Sequence, residues 1–209
     1  MADGRIAPDA AAWSSPQADA GLDRLFLQAR TVRAWQERPV APALLRELYR
    51  LMCMGPTSAN CQPARIVFVQ SAAGKAALLP LLDAGNREQT RLAPVTAVLA
   101  CDLHFHERLG VLYPHQPQAR SWFTASPAAT RDAALRNASL QHGYFIIAAR
   151  ALGLDCGPMG GFDADAVTKR YFPGGRAEVS FLCNLGYVSP APMRARLPRL
   201  PFEEACALA

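Results

Sequence analysis

From Thr130 to Leu152 the chain contains no proline and a single glycine, Gly143, in a stretch rich in alanine. At about 1.5 Å per residue, such a helix is roughly 35 Å long, the breadth of a small domain. The remaining elements of a 209-residue chain must therefore pack along it. Helical spacing places Tyr144, Ile147 and Ala148 on one side, which predicts a core-facing stripe on a central or interface helix.

Around that rod the sequence predicts short strands and shorter helices. Arg65–Val69 and Glu178–Leu185 are β-branched or apolar runs, and Pro94–Cys101 is the strongest strand signal. Leu22, Leu25, Phe26 and Ala29 recur at helical spacing, predicting a helix over 21–29. Pro42 fits the first turn of a second helix, with Leu44, Leu45, Leu48, Leu51 and Met52 as its apolar face and a stop near Gly55-Pro56. Ser71 caps a helix running to Leu82, and Gly85-Asn86 reads as a turn after a helix end. Residues 103–129 read as a short helix plus a loop long enough for a lid. Gly153–Phe162 reads as a glycine-rich turn, and Asp163 caps a helix to about Phe172. Prolines at 190, 192, 198 and 201 predict an extended arm from Ser189 onward. Residues 1–20, rich in Ala, Asp, Ser and Pro, are expected to form a mobile arm, and 21–209 one domain of α+β class with three or four strands.

Hydrophobic residues make up 51% and charged residues 19%, which excludes disorder for most of the chain. The run Val95–Cys101 falls far short of the ~20 residues of a membrane span. Met1–Ile6 opens no secretory signal, and the six cysteines stand singly without a CxxC pair. These features predict a cytoplasmic protein with no structural zinc and no disulfide framework. The net charge is +5, and lysine occurs only at Lys75 and Lys169. Arginine suits bidentate grips on phosphate or carboxylate, so an anionic small molecule is expected rather than nucleic acid, whose binders cluster basic residues in stripes.

Several familiar chemistries are missing. The glycines of 153–161 have the wrong spacing for a dinucleotide fingerprint, Gly74-Lys75 lacks the rest of a P-loop, and no serine sits in a GxSxG elbow. His104 and His106, in an extended segment with Asp102, would share a face. Without a third ligand at familiar spacing they read as surface histidines, and no metal is expected. Cys61 has no base paired with it and reads as a packing residue. Two segments remain. Arg30-Thr31-Val32-Arg33 offers two guanidinium forks and a hydroxyl, either a phosphate grip or a solvated pair of arginines. Gly55–Pro63 offers small hydrogen-bonding side chains between two prolines, either for close approach to a flat polar heterocycle or as a capped connection.

The order Arg-Thr-x-Arg-x-Trp at 30–35, Gly-Pro-Thr-Ser-Ala-Asn-x-Gln-Pro at 55–63, Gly85-Asn86, Gly-Pro-Met-Gly-Gly-Phe-Asp at 157–163 and Arg-x-Arg-Leu-Pro at 194–198 resembles the nitroreductase family of FMN-dependent oxidoreductases. The resemblance runs from about residue 22 to the end. Arg136-Asn137-x-Ser139, the run Ala148–Asp155 and Arg196–Ala205 resemble its malonic semialdehyde reductase branch, associated with bacterial pyrimidine breakdown. The resemblance implies a mainly antiparallel sheet flanked by helices, a homodimer, FMN, and NADH or NADPH as co-substrate. It assigns Arg30, Thr31 and Arg33 to the FMN phosphate and ribityl chain, with Arg194 and Arg196 as a further basic pair at the phosphate. Pro56, Thr57, Ser58 and Asn60 would reach the flavin from the partner subunit, Asn86 would meet the ribityl chain or ring edge, and Pro158, Met159, Gly160 and Gly161 would line the ring. Ala29 stands where many members carry another arginine, which shifts weight to Arg30 and Arg196.

The absence of a nucleophile or base fits such chemistry, because the cofactor carries it and the protein binds, orients and tunes. The expected activity is hydride transfer from NAD(P)H through flavin N5 to a small carbonyl, malonic semialdehyde foremost, with Arg120 in the 103–129 segment as substrate-carboxylate anchor and no protein catalytic residue. Reduction of nitroaromatics or quinones is the alternative, and a flavin-binding protein without turnover the third. No nucleic-acid or membrane partner is expected.

Overall fold

The computed structural model describes residues 20–190 and 195–209. The expected N-terminal arm, apart from its last residue, and Arg194 lie outside the described residues.

Strands β1 (Ala64–Val69), β2 (Val95–Asp102), β3 (Asp155–Met159) and β4 (Ala177–Gly186) form one antiparallel sheet in the order β1-β2-β4-β3. Every residue of β2 is buried. It has a strand on either side and helices over both faces, so alternation disappears and a continuous apolar run results. A bulge in β4 between the partners of Leu99 and Ala100 shifts the register by one residue.

A first helical segment ending in the π turn Asp23–Leu27 precedes helices α1 (Pro42–Met52), α2 (Ala72–Leu78), α3 (Ala84–Leu92), α4 (Leu109–Leu112), α5 (Pro127–Ala151), α6 (Ala164–Tyr171) and α7 (Phe202–Ala205), with short 3-10 segments between some of them. On one sheet face Leu45, Leu48 and Met52 of α1 and Phe145 and Ala149 of α5 pack on Ala97, Leu99, Cys183 and Leu185. On the other, Leu78, Leu82 and Val167 pack on Val98, Val179 and Leu182. The result is three layers with a core on each side of the sheet. No described helix is long and apolar enough to cross a membrane.

The long helix begins at Pro127, three residues before its breaker-free stretch, because the Ser126 side chain accepts from Ala129 N and Pro127 occupies the first turn. Its buried face runs through Ala134, Ala138, Gln141, Phe145, Ala148 and Ala149, leaving Tyr144 and Ile147 half-buried. The predicted stripe is thus displaced around the helix by about one position.

Four further expectations need correction. The helix over 21–29 ends at Leu27, and its second half, Asp23–Leu27, widens to a π turn closed by Gln28 N to Asp23 O at 2.8 Å. The helix from Ser71 changes at Leu79 to a 3-10 turn, where Pro80 removes an amide. Gly85 and Asn86 stand inside the first turn of α3, not after a helix end. Gly153–Phe162 is no turn: it contains β3, which pairs with β4 from Asp155↔Gly186 to Met159↔Leu182. Gly157-Pro158 conceals that strand because both residues weaken strands elsewhere, yet at a sheet edge they are tolerated. Residues 103–123 are more ordered than a loop, with 3-10 turns at Phe105–Arg108 and Pro117–Phe123 around α4, anchored by buried Phe105, Leu109 and Ala119. The C-terminal arm is extended over 195–201, as expected, before α7.

Candidate active site

The segment carrying Arg30, Thr31 and Arg33 lies along the free edge of β3. Thr31 bridges Cys156 in parallel, Val32 N donates to Cys156 O at 2.9 Å, and farther on Trp35 pairs with Val188. A Cβ on Gly157 would stand 2.5 Å from the Val32 carbonyl oxygen and 3.1 Å from the Trp35 ring, so only glycine allows this approach. The end of β3 is held from α3. Asn86 Nδ2 donates to Gly161 O at 2.9 Å, Asp83 N to the same oxygen at 3.1 Å, and a Cβ on Gly161 would meet Asn86 at 2.6 Å. The fold therefore brings Arg30, Thr31, Arg33, Asn86 and Pro158–Gly161, distant in sequence, to one edge strand, the first three along its start and Asn86 at its end.

Arg196 joins them from the C-terminal arm. Its Nη2 donates to the carbonyls of Phe26, Leu27 and Ala29 at 2.8, 2.6 and 2.9 Å, where the first helix exposes its last carbonyls. Arg30 Nη1 donates to Leu27 O and Ala29 O, and Arg150 Nη1 to Leu25 O at 2.8 Å. Partial desolvation, with the positive charges of Arg30, Arg199 and Arg150, pushes the Arg196 guanidinium below its ordinary value. None of these four arginines forms an ion pair with a described carboxylate. Each guanidinium has five N–H donors, and the helix end occupies only some of them. This is a cation cluster with free donors and no counter-ion among the described residues. Arg150 and Arg199 were not assigned any role from the sequence; Arg150 stands in the quoted run Ala148–Asp155, yet nothing local marks it as part of a cluster.

Pro56, Thr57, Ser58 and Asn60 are elsewhere. They lead into β1, at the opposite sheet edge from β3, three strand spacings or about 14 Å away. Ser58 N donates to Asn137 Oδ1 at 2.8 Å, Tyr144 Oη to Pro56 O at 3.0 Å, Asn60 Nδ2 to Leu112 O at 2.9 Å, and Ala64 N to Gln141 Oε1 at 2.9 Å. Ala59, Asn60 and Gln62 all have φ between 41° and 50°. For Ala59 and Gln62 this left-handed backbone costs about 1–2 kcal/mol each. Side chains from α5 hold the strained turn in place.

Arg120 belongs to this second group. It is exposed on the Pro117–Phe123 turn, whose Ala119 packs in a cluster with Cys61, Phe105 and Leu109. Burial pushes the Cys61 thiol up to about 11, in keeping with a packing residue rather than a nucleophile. His104 and His106 are not on an extended segment: His104 opens a turn, His106 lies in a 3-10 turn, and their rings stack at 6.2 Å. No group of three or more metal-ligating side chains converges among the described residues.

The chain as a whole is similar to known proteins. A protein of Ralstonia nicotianae, named for a proposed NADH dehydrogenase/NAD(P)H nitroreductase activity, is 56% identical over 185 residues, 88% of this chain and 94% of the relative. A proposed nitroreductase from Exiguobacterium sibiricum, solved in complex with FMN, superposes with a TM-score of 0.80 at 20% identity, covering 89% of this chain and 96% of that one. Another from Bacillus subtilis gives 0.81 at 25% identity, covering 91% and 100%. The profile of the nitroreductase family matches residues 27–187, and the chain belongs to that family.

Proposed function

We propose that this protein is an FMN-dependent NAD(P)H oxidoreductase whose site is completed across a homodimer. The observation that carries the reading is the cation cluster of Arg30, Arg150, Arg196 and Arg199, which has no described counter-ion and adjoins the segment that runs along β3, the strand whose far end is Pro158–Gly161. A phosphate dianion is the ligand such a cluster fits, since it fills free guanidinium donors without displacing a carboxylate. A flat ring fits a strand end where Gly160 has nothing within 4 Å of the Cβ it lacks. Arg30, Thr31, Arg33 and Arg196, with Arg194, would hold the phosphate and ribityl chain; Asn86 and Pro158–Gly161 would hold the ring.

Bound FMN supplies hydride transfer, from NADH or NADPH to an acceptor. The chain's own groups bind, orient and exclude water, so no protein nucleophile is required. Pro56, Thr57, Ser58 and Asn60 lie too far from the β3 edge to serve the same chain's site, which supports their reaching the flavin of a second copy related by a twofold axis. Arg120, next to that turn, would then meet the substrate at the partner's flavin. Malonic semialdehyde, reduced to 3-hydroxypropionate, is the acceptor we propose first. The name of the Ralstonia relative favours a second, a nitroaromatic.

Titrating FMN into the purified protein, then adding NADH or NADPH without oxygen, tests the core of the reading. Bleaching of bound flavin is expected, and a protein that takes up no FMN overturns it. Turnover with malonic semialdehyde at least tenfold faster than with a nitrofuran is expected, and the reverse order gives the second reading.

A further inference from the structure

Lys75 has no role in the chemistry above, yet it is one of the few charged side chains buried in the described core, at 7% exposure. It lies on α2 and faces the sheet without a carboxylate partner among the described residues. Burial alone lowers its amine to about 7. A lone buried amine is costly unless its donors are met. Here Nζ donates to Thr90 O at 2.8 Å and to Thr96 Oγ1 at 2.6 Å. Thr90 stands in the last turn of α3, whose carbonyls lack partners within the helix and carry the negative end of its dipole. An amine can donate both bonds whether protonated or neutral.

From Thr96 the bonds continue in one direction. Thr96 Oγ1 donates to Asn184 Oδ1 at 2.6 Å, Asn184 Nδ2 to Thr90 Oγ1 at 3.1 Å, and Thr90 Oγ1 toward Met159 Sδ at 3.6 Å. Thr96, Asn184 and Gly157 are successive partners across β2, β4 and β3. One residue before Thr90 on α3, Gln89 Nε2 reaches Asn86 Oδ1, a turn back, at 2.7 Å and Met159 Sδ at 3.8 Å, while Asn86 holds Gly161. The relay thus begins at a buried amine on the far side of α3 and ends on both the helix and the strand that form the candidate cofactor site.

We infer that Lys75 is a positioning residue for that site: through Thr96, Asn184 and Thr90 it fixes α3 against the end of β3, so that Gly157, Met159 and Gly161 keep the shape the cofactor meets. The inference rests on the FMN reading above. A buried polar network of this kind gains by being complete, and removing one member leaves the others unsatisfied.

The test compares full-length wild type with Lys75→Met, Thr96→Val and the double variant. Each is titrated with FMN, and each is labelled at methionine methyl groups so that the Met159 resonance is read without FMN. Lys75→Met should weaken FMN binding at least tenfold and move the Met159 methyl, and Thr96→Val should do both to a similar degree. The double variant should lose little beyond the larger single loss, because both break one relay. A merely structural role would lower the melting temperature but leave the Met159 methyl, and the FMN affinity of folded protein, where they were. That result, or two losses that multiply, overturns the inference. If Lys75→Met does not fold, Thr96→Val keeps its volume and decides alone. If wild type binds no FMN, the functional reading fails, and the Met159 methyl still tells whether the relay reaches β3.

Discussion

The two edges of the sheet solve different problems. The β3 edge is cationic and built from backbone: Val32 bonds Cys156, glycine at 157 permits the close approach, and arginines crowd a helix end without a described counter-ion. The β1 edge is a strained turn held by side chains, with Asn137, Gln141 and Tyr144 of α5 each satisfying a backbone group between Pro56 and Ala64. The first edge is suited to charge, the second to placing hydrogen-bonding groups accurately. Neither alone offers both a phosphate grip and polar groups for the far side of a ring. This division is what the proposed site, shared by two copies, would require.

Substituting Gly157 strikes the first edge hardest. The Cβ of Gly157→Ala would meet the Val32 carbonyl, backbone that cannot swing aside, so the 30–35 segment must lift from β3. FMN binding should fall at least a hundredfold and the melting temperature should drop. Gly160→Ala meets nothing within 4 Å and should leave the melting temperature of flavin-free protein unchanged. Equal destabilisation by both substitutions would remove the steric argument. Arg196→Ala should act more selectively, weakening FMN roughly tenfold to a hundredfold, because a charge-assisted hydrogen bond contributes about 1.5–3 kcal/mol. Unchanged affinity by titration would remove Arg196 from the phosphate grip.

The assignment of the two edges to different copies can be broken directly. Asn137→Ala should leave Ser58 N without its partner, cost about 1–3 kcal/mol of stability at the turn and lower turnover, with FMN affinity nearly intact. Mixing this variant with an Arg30→Ala/Arg196→Ala chain and allowing subunit exchange should then restore activity. Each mixed dimer would hold one site with both defects and one with neither, about a quarter of all sites at equal mixing. Activity no higher than the average of the two parents would place both edges at one chain's site.

The sequence made some of this division legible. Absence of breakers reveals α5, and an unbroken apolar run reveals β2. Two arginines within four residues, at 30 and 33, announce their edge, as do the prolines around Thr57 and Ser58 theirs. What stayed hidden depends on tertiary contacts. β3 has Gly157-Pro158 at its centre and exists because β4 and the 31–32 segment pair with it. Gly85-Asn86 resembles a turn, but Asp83 and Asn86 are anchored on Gly161, and α3 starts there. Arg150 is one of several arginines on its helix until Leu25 and Arg196 are brought beside it. The Lys75 relay joins residues of five elements, none of them unusual in its own window.

The smallest expected effect concerns Arg120, and it sharpens the account of the β1 edge. Arg120 is exposed on a turn whose Ala119 packs in one cluster with Cys61 of the strained segment, and it has no described carboxylate partner. Malonic semialdehyde carries a carboxylate one methylene away from its reacting carbonyl group, so a site adapted to it needs a cation that reaches the carboxylate while the carbonyl sits over the ring. An exposed guanidinium loses much of its attraction to solvent and salt, which limits the effect of removing it. Arg120→Gln should therefore raise the KM for the semialdehyde only about threefold to tenfold. The rate at which NADH or NADPH bleaches bound flavin should not change, because nicotinamide has no need of that anchor. A nitrofuran, lacking the carboxylate, should show no change in KM. Stopped-flow measurement of both half-reactions separates these outcomes, and equal KM values for the semialdehyde in variant and wild type would leave the β1 edge without a substrate-binding cation.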